Sequence, residues 1–235
     1  MGRLYVGSSC IYMKLQSERL NTIASLVKQD HIFADVGTDH AHIPSYLILN
    51  GVSPYGYAGD IKKGPLAVAE KNLSQHGIEN KVELVLCDGL CGFPLDKVED
   101  IVIAGMGGDT IIGIIDVCGD ITKNHRLILQ PMTNVPKVRS YLFENGYDIL
   151  EEKIVYEDLK IYNVIVAVKG QSAQKPSLKD IYFGVNINSP ELTDTYKKYL
   201  KKKHKKHYDG LMGAKMQNTE DILLEKSIIE MLEEM

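Results

Sequence analysis

The chain lacks any apolar run long enough to cross a bilayer, and its first residues, MGRLYVGSSCIYM, show no basic start leading into a long apolar stretch. Neither a membrane span nor a secretory signal is expected, and a cytoplasmic location is. CxxC pairs are missing too. The four cysteines, Cys10, Cys87, Cys91 and Cys118, have no zinc-like spacing and read as reduced thiols, so neither a metal nor a disulfide is expected. No internal repeat is visible, and no charge dominates. A net charge of −4 over 235 residues says nothing about a nucleic-acid partner, so only the distribution of charge can. No GxGxxG is present at a strand end, which removes the usual signature of a bound dinucleotide.

What is present is a regular alternation. With 44% hydrophobic and 25% charged residues, the length suits one α/β domain of about 150–180 residues plus an appendage. Patterned sequence begins near Met13, and residues 1–14 are read as an extension outside the fold. Helical spacing of Leu15, Leu20, Ile23, Ala24 and Val27 predicts a helix over 15–28. Strands follow at 31–36, 55–60, 82–86, 100–104 and 126–130, the last ending at Pro131. Between them lie helices at 41–50, 62–76 and 110–117, and another follows at 135–145; Gly51, Gly77 and Gly146 close three of these. Short spacing of this kind implies a parallel sheet with right-handed crossovers. The runs 147–156 and 160–169 flank a polar turn and predict an antiparallel hairpin at the sheet edge. Such a sheet resembles that of class I methyltransferases more than that of a nicotinamide dehydrogenase. Beyond a polar linker, 171–189, two helices at about 190–208 and 219–234 predict a helical hairpin or antiparallel coiled coil.

Open α/β sheets bind ligands at the carboxyl ends of their strands. The first strand runs into Asp35-Val36-Gly37-Thr38-Asp39-His40-Ala41. Gly37 permits close backbone approach, and Asp35 or Asp39 could answer the ammonium of a ligand such as S-adenosyl-L-methionine, whereas an acid here repels a pyrophosphate. The second strand ends at Asp60-Ile61, placed to accept ribose hydroxyls or, more plainly, to cap the next helix. The third ends Cys87-Asp88-Gly89, suited to an adenine amino group or to an ordinary turn. The fourth ends Ala104-Gly105-Met106-Gly107-Gly108, read as a narrow floor with backbone amides exposed. Each feature has a bland explanation; it is their conjunction, in order, that points to a nucleoside-bearing ligand.

The segments SERLNTIASLV, ADVGTDHAHIPSYLILNG, AGDI followed by GP, CDGL, AGMGG and ILQPM closely resemble the bacterial tRNA (adenine(22)-N(1))-methyltransferases, the TrmK family, over residues 15–169. That resemblance implies a class I methyltransferase Rossmann-like sheet, mostly parallel with an antiparallel edge strand, followed by the helical hairpin. It implies S-adenosyl-L-methionine as donor and methylation of adenine N1 in tRNA by a catalytic domain over 15–170. It places cofactor contacts at Asp35, Gly37, Thr38, Asp39, His40, Asp60, Ile61, Asp88, Gly89, Gly105, Met106 and Gly107. His42 stands where tyrosine is usual and Asp60 where glutamate is usual.

Adenine N1 is already nucleophilic, so positioning matters more than a strong base. Asp39, or failing that Asp109, is expected to stabilise the positive charge that develops on the ring. His40 is expected to orient Asp39 or meet the base, and Met106 and Gln130 to touch the base. No NPPY-type segment follows the fourth strand, which favours a ring nitrogen over an exocyclic amine. In YKKYLKKKHKKHY, residues 196–208, lysines cluster with tyrosines. Lys198, Lys201, Lys202 and Lys205 are expected to follow an RNA backbone, while the acidic last helix occupies some of the lysines; Arg19 in the first helix is expected to reach an RNA phosphate or the cofactor carboxylate, or more plainly to lie on the helix surface. A monomer is the default. A small-molecule methyltransferase, a non-catalytic RNA-binding module and a nicotinamide dehydrogenase are the competing readings, the last disfavoured by Asp39.

Overall fold

In the computed structural model, residues 13–118, 124–170, 175–214 and 218–235 are described. Most of the expected extension, residues 1–12 with Cys10, lies outside them, as do residues 171–174 of the linker and the side chain of Cys118. Met13 is tied to the domain, its amide donating to Asn50 Oδ1 at 3.1 Å.

Helix α1 spans Glu18–Ser25, with Ser17 as a cap whose side chain accepts from the Leu20 amide. The expected helix was longer at both ends. Strand β1 is Phe33–Val36, α2 His42–Leu49, β2 Gly56–Asp60, α3 Lys63–Gln75 and β3 Val82–Leu86. Then come β4, Asp100–Gly107; α4, Gly108–Cys118; β5, Arg126–Thr133; α5, Val135–Glu144; β6, Tyr147–Glu157; and β7, Lys160–Lys169. The seven strands lie in the order β3-β2-β1-β4-β5-β7-β6. The first five pair in parallel, while β7 pairs antiparallel with both β5 and β6. Asp158 and Leu159, at φ 49° and 61°, make the two-residue hairpin turn.

Two expected boundaries move. The glycine turn after the fourth strand is largely strand, because β4 and β5 stay paired through Met106↔Pro131 and Gly107↔Thr133, with bulges on either side of Met106. Pro131 therefore does not end β5; it sits at the irregularity, where a proline lacking an amide hydrogen is tolerated.

One face of the sheet packs on α1, α2 and α3 through Ile23, Leu47 and Leu73. The other packs on α4 and α5 through Ile111, Ile115, Val138 and Leu142. The segment expected as a plain linker contains a short helix, α6, Leu178–Tyr182, with a capping box between Ser177 and Asp180. Helix α7 spans Pro190–Met212, running through Gly210 where a break was expected, and α8 spans Thr219–Glu234. Tyr196, Leu200, Ile228 and Leu232 pack with Phe183 and Ile154 into a third cluster, which seats the helical pair on β6. A buried ion pair reinforces the seam. Arg139 of α5 and Glu152 of β6, both fully enclosed, meet at 2.7 Å, and the Ile181 carbonyl and the Val185 amide complete their hydrogen bonds. Burial works against the Arg139 charge, but Glu152 beside it overcomes that, so the guanidinium holds its proton more firmly than usual. No helix among the described residues is long and apolar enough to cross a membrane.

Candidate functional site

The carboxyl ends of β1 and β4 frame a cavity of about 300 Å³, lined by Arg19, Asp35, Gly37, Thr38, Asp39, His40, His42 and Gly105 among others. That is within the range of small-ligand sites. Gly37, at φ +77°, makes the turn, and the Gly37 and Thr38 amides both donate to the Gly59 carbonyl at 2.8 and 2.9 Å. Any side chain at Gly37 would collide with Met106, whose Cε lies over it. The Met106 thioether therefore reaches back from β4 across the end of β1.

Asp35 is buried, and burial pushes its carboxyl up to about 6, opposed by the neighbouring Thr38 hydroxyl. Thr38 Oγ1 is itself buried and completes no hydrogen bond of normal geometry. An acid held at the floor of a cavity beside an orphan hydroxyl is incomplete without a ligand that brings positive charge and a hydrogen-bond donor. Asp39 stands at the mouth, 78% exposed, with His40 Nε2 at 3.4 Å. The His40 carbonyl accepts from Asn72 Nδ2 at 2.9 Å, and its ring stacks on His42 at 5.3 Å. Burial, then the neighbouring His40, lowers the His42 pKa, with Asp39 opposing, so His42 is neutral at physiological pH.

A second cavity, of about 360 Å³, opens beyond β3. Asp88, Gly89, Leu90, Thr110 and Ile114 are among its walls, and apolar surface dominates. Gly89, at φ +58°, passes against Ile114. A flat heterocycle suits such a slot, with the Asp88 carboxylate as acceptor.

The sequence expectations are thus partly gathered and partly separated. Asp35, Gly37, Thr38, Asp39, His40 and Gly105 share the first cavity, and Asp88 and Gly89 the second, whereas Asp60, Ile61, Met106 and Gly107 line neither. Asp60 does not cap α3 as its N-cap residue; its carboxylate accepts from the Lys62 amide at 2.7 Å, and Ile61 beside it is 61% exposed at the strand end. Gln130 is a correction. It is fully buried, accepting from Arg19 Nη1 at 2.7 Å and from the Gly105 amide at 3.2 Å while donating to the Pro131 carbonyl at 3.1 Å, so it has no free end for a base. Arg19, read as reaching a phosphate or a cofactor carboxylate, lines the first cavity, held by Gln130 and by the Tyr162 ring, 5.6 Å from its guanidinium carbon. Asp109 is held by Lys137 and Asn134, whose hydrogen bonds keep its carboxyl below the usual range, and it lies outside both cavities.

On α7, Tyr196, Leu200 and His204 face inward. At about 100° per residue, Lys198, Lys202 and Lys205 point the opposite way, and Lys201 lies on the flank. Lys205 pairs with Asp209 at 3.0 Å. The acidic last helix takes histidines where lysines were expected, with Glu225 bonding His204 and His207 at 2.8 Å each.

A family model described as a methyltransferase domain matches residues 16–165. The tRNA (adenine(22)-N(1))-methyltransferase of Bacillus subtilis is 36% identical over 155 residues, an alignment covering 66% of this chain and 65% of that enzyme. A Streptococcus pneumoniae protein solved with S-adenosyl-L-methionine is 33% identical, with a TM-score of 0.78 over 94% of this chain and 99% of that one. TrmK of M. capricolum, solved with S-adenosyl-homocysteine, is 26% identical, with a TM-score of 0.77 over 94% and 97%.

Proposed function

The chain belongs to the bacterial tRNA (adenine(22)-N(1))-methyltransferase family, TrmK, and we propose that it methylates N1 of an adenine in tRNA, position 22 by family membership. The observation that carries this reading is the buried Asp35 beside the unpartnered Thr38 hydroxyl at the end of β1, in a cavity whose mouth holds Asp39. The methyl donor is S-adenosyl-L-methionine, which when bound supplies an electrophilic methyl group on a sulfonium. The residues present fit it. Asp35 and Thr38 answer its ammonium, Arg19 its carboxylate, and Asp60 at the end of β2 its ribose; Asp88 and Gly89 receive its adenine in the second cavity. Ile61 offers an apolar lip to the same ring. Met106 lies over Gly37, between the ends of β1 and β4, and backs the turn from behind the cavity lining.

Adenine N1 attacks with its in-plane lone pair, so the chain's task is alignment and charge stabilisation rather than deprotonation. Asp39 faces the developing cation, and His40 orients Asp39. Gln130 is a positioning residue, holding Arg19 and the Gly105 amide in place. Asp39→Ala is expected to lower kcat on tRNA roughly tenfold or more. Its thermal midpoint should stay near wild type, because the side chain is 78% exposed. Equal turnover in the two proteins would remove Asp39 from the mechanism. The reading as a whole is tested by incubation of the protein with unmodified tRNA and labelled donor, with the modified nucleoside mapped by mass spectrometry; 1-methyladenosine is the expected product.

The outward lysines supply charge along the RNA backbone. Changing Lys198, Lys201 and Lys202 together to Glu is expected to weaken tRNA binding. It should also flatten the slope of log affinity against log salt by about 0.9 for each phosphate that is no longer neutralised. Unchanged affinity across salt would leave these lysines with a solvating role.

A further inference from the structure

A third cavity, about 80 Å³, lies at the seam between the catalytic domain and the helical pair; Thr133, Asn134, Val135, Asn163, Tyr199 and Lys203 are among its walls. Three observations converge on it. First, it opens on the start of α5, a ten-residue helix without a side-chain cap. Its N-cap Asn134, at φ 55°, spends its amide on Asp109 at 2.6 Å instead. Pro136 carries no amide hydrogen and the Lys137 amide donates to the Asn134 carbonyl at 3.0 Å, so the first turn offers an anion the Val135 amide and the positive end of the helix dipole. Second, Asn163 is only 4% exposed, and its Nδ2 has no hydrogen-bond partner. A buried donor left unmet is costly, so the place calls for an acceptor. Third, Lys203 lines the cavity from α7 and forms no ion pair among the described residues.

The carboxylates nearby already have partners: Asp109 pairs with Lys137, Glu152 with Arg139, and Glu225 is hydrogen-bonded to His204 and His207. What remains is a set of donors with no matching acceptor, the requirement of a phosphate-type oxyanion. The end of β5 is a wall shared with the first cavity's surroundings. Gln130 holds Arg19 there, while Pro131 and Met132 line the third cavity.

We propose that this cavity seats one phosphate of the substrate RNA backbone, with Asn163, Lys203 and the start of α5 as its ligands, fixing the strand that carries the target base. The proposal rests on the tRNA-methylation reading. A phosphate anchored between α5 and α7 would also set the distance from the helical pair to the methyl donor.

The test uses the full chain with Asn163→Leu and Lys203→Gln. Asn163→Leu removes a partnerless amide in favour of an apolar group of similar size, so its thermal midpoint should equal or exceed that of wild type. Its KM for tRNA should rise about five- to tenfold with kcat and cofactor affinity unchanged, an effect a merely structural asparagine would not produce. Lys203→Gln, an exposed change, should reduce the salt slope of tRNA binding by about 0.9. Wild-type tRNA affinity and salt slope in both variants would overturn the proposal. So would calorimetric binding of inorganic phosphate to wild type, abolished by both substitutions, with tRNA affinity untouched; the site would then serve free phosphate. A wild-type protein that neither binds nor methylates tRNA would instead overturn the underlying reading, and this proposal with it.

Discussion

Glu152→Gln is expected to cost about 3–5 kcal/mol of folding stability, the largest loss from any near-isosteric change in this chain. Glu152 and Arg139 are both wholly enclosed. Glu152 accepts from Arg139 Nε at 3.0 Å and Nη2 at 2.7 Å, and from the Val185 amide at 2.9 Å. Glutamine keeps the shape but leaves a guanidinium without a counter-charge in a low-dielectric interior. The same atoms fill the space beside Gly184, where a Cβ would lie 2.8 Å from Arg139 Nη2 and 2.9 Å from Glu152 Oε1. At φ +122° that glycine lets the chain pass close to the pair on its way to α7. The loss should therefore appear first where α6 and α7 meet the sheet. Denaturant unfolding gives the magnitude, and hydrogen exchange across residues 178–212 gives the location. The double variant Arg139→Met, Glu152→Gln should recover part of the loss, because it no longer buries an unpaired charge. Single variants within about 1 kcal/mol of wild type would show that water reaches the pair.

Asp35→Asn should move stability and function in opposite directions. In the cofactor-free protein the Asp35 carboxyl titrates at about 6, against 3.8 for an ordinary aspartate. A raised acid binds its proton more tightly when folded, so its contribution is most favourable below about pH 4. That contribution is lost progressively as pH climbs to about 6, and above this the ionised group costs roughly 3 kcal/mol. Asparagine removes that cost, so the variant should be more stable than wild type at pH 8 by up to that amount and nearly equal to it at pH 4. Cofactor binding needs the ionised form, because the partner is an ammonium. Wild-type affinity should therefore fall as pH drops below about 6, approaching tenfold per unit. Affinity of the variant should be lower by about 2–5 kcal/mol at pH 8 and lose this pH dependence. Calorimetry at pH 5, 6.5 and 8 reads both effects. A variant that binds the donor as tightly as wild type would detach Asp35 from the ammonium.

The sheet was legible because its signals are local. Helix-closing glycines such as Gly51 and Gly146, both at φ near +66°, and the period of apolar residues between them are written within a few neighbouring positions. The strand ends could be read for the same reason: Gly37 and Gly89 each need a positive φ, and each has an acid within two residues. Boundaries failed where pairing across the sheet overrode local chemistry. Pro131 would ordinarily stop a strand, yet β4 holds β5 in register past it.

Side-chain roles failed for a related reason. Gln130 and Arg19 are 111 positions apart, and only their meeting shows that one is spent on the other. Lysines 198 to 206 look alike in the sequence; the rotation of α7 against the catalytic domain singles out Lys203. The sequence by itself determined the sheet's order of elements, the acids and glycine bends at its carboxyl edge and the helical pair that follows, since backbone preference and hydrophobic period act over a few residues. Tertiary structure alone decided which polar groups are buried and satisfied, which are buried and left open, and which face of α7 meets the catalytic domain. Burial and partnership arise from contacts between segments far apart in the chain, and no short stretch of residues specifies them.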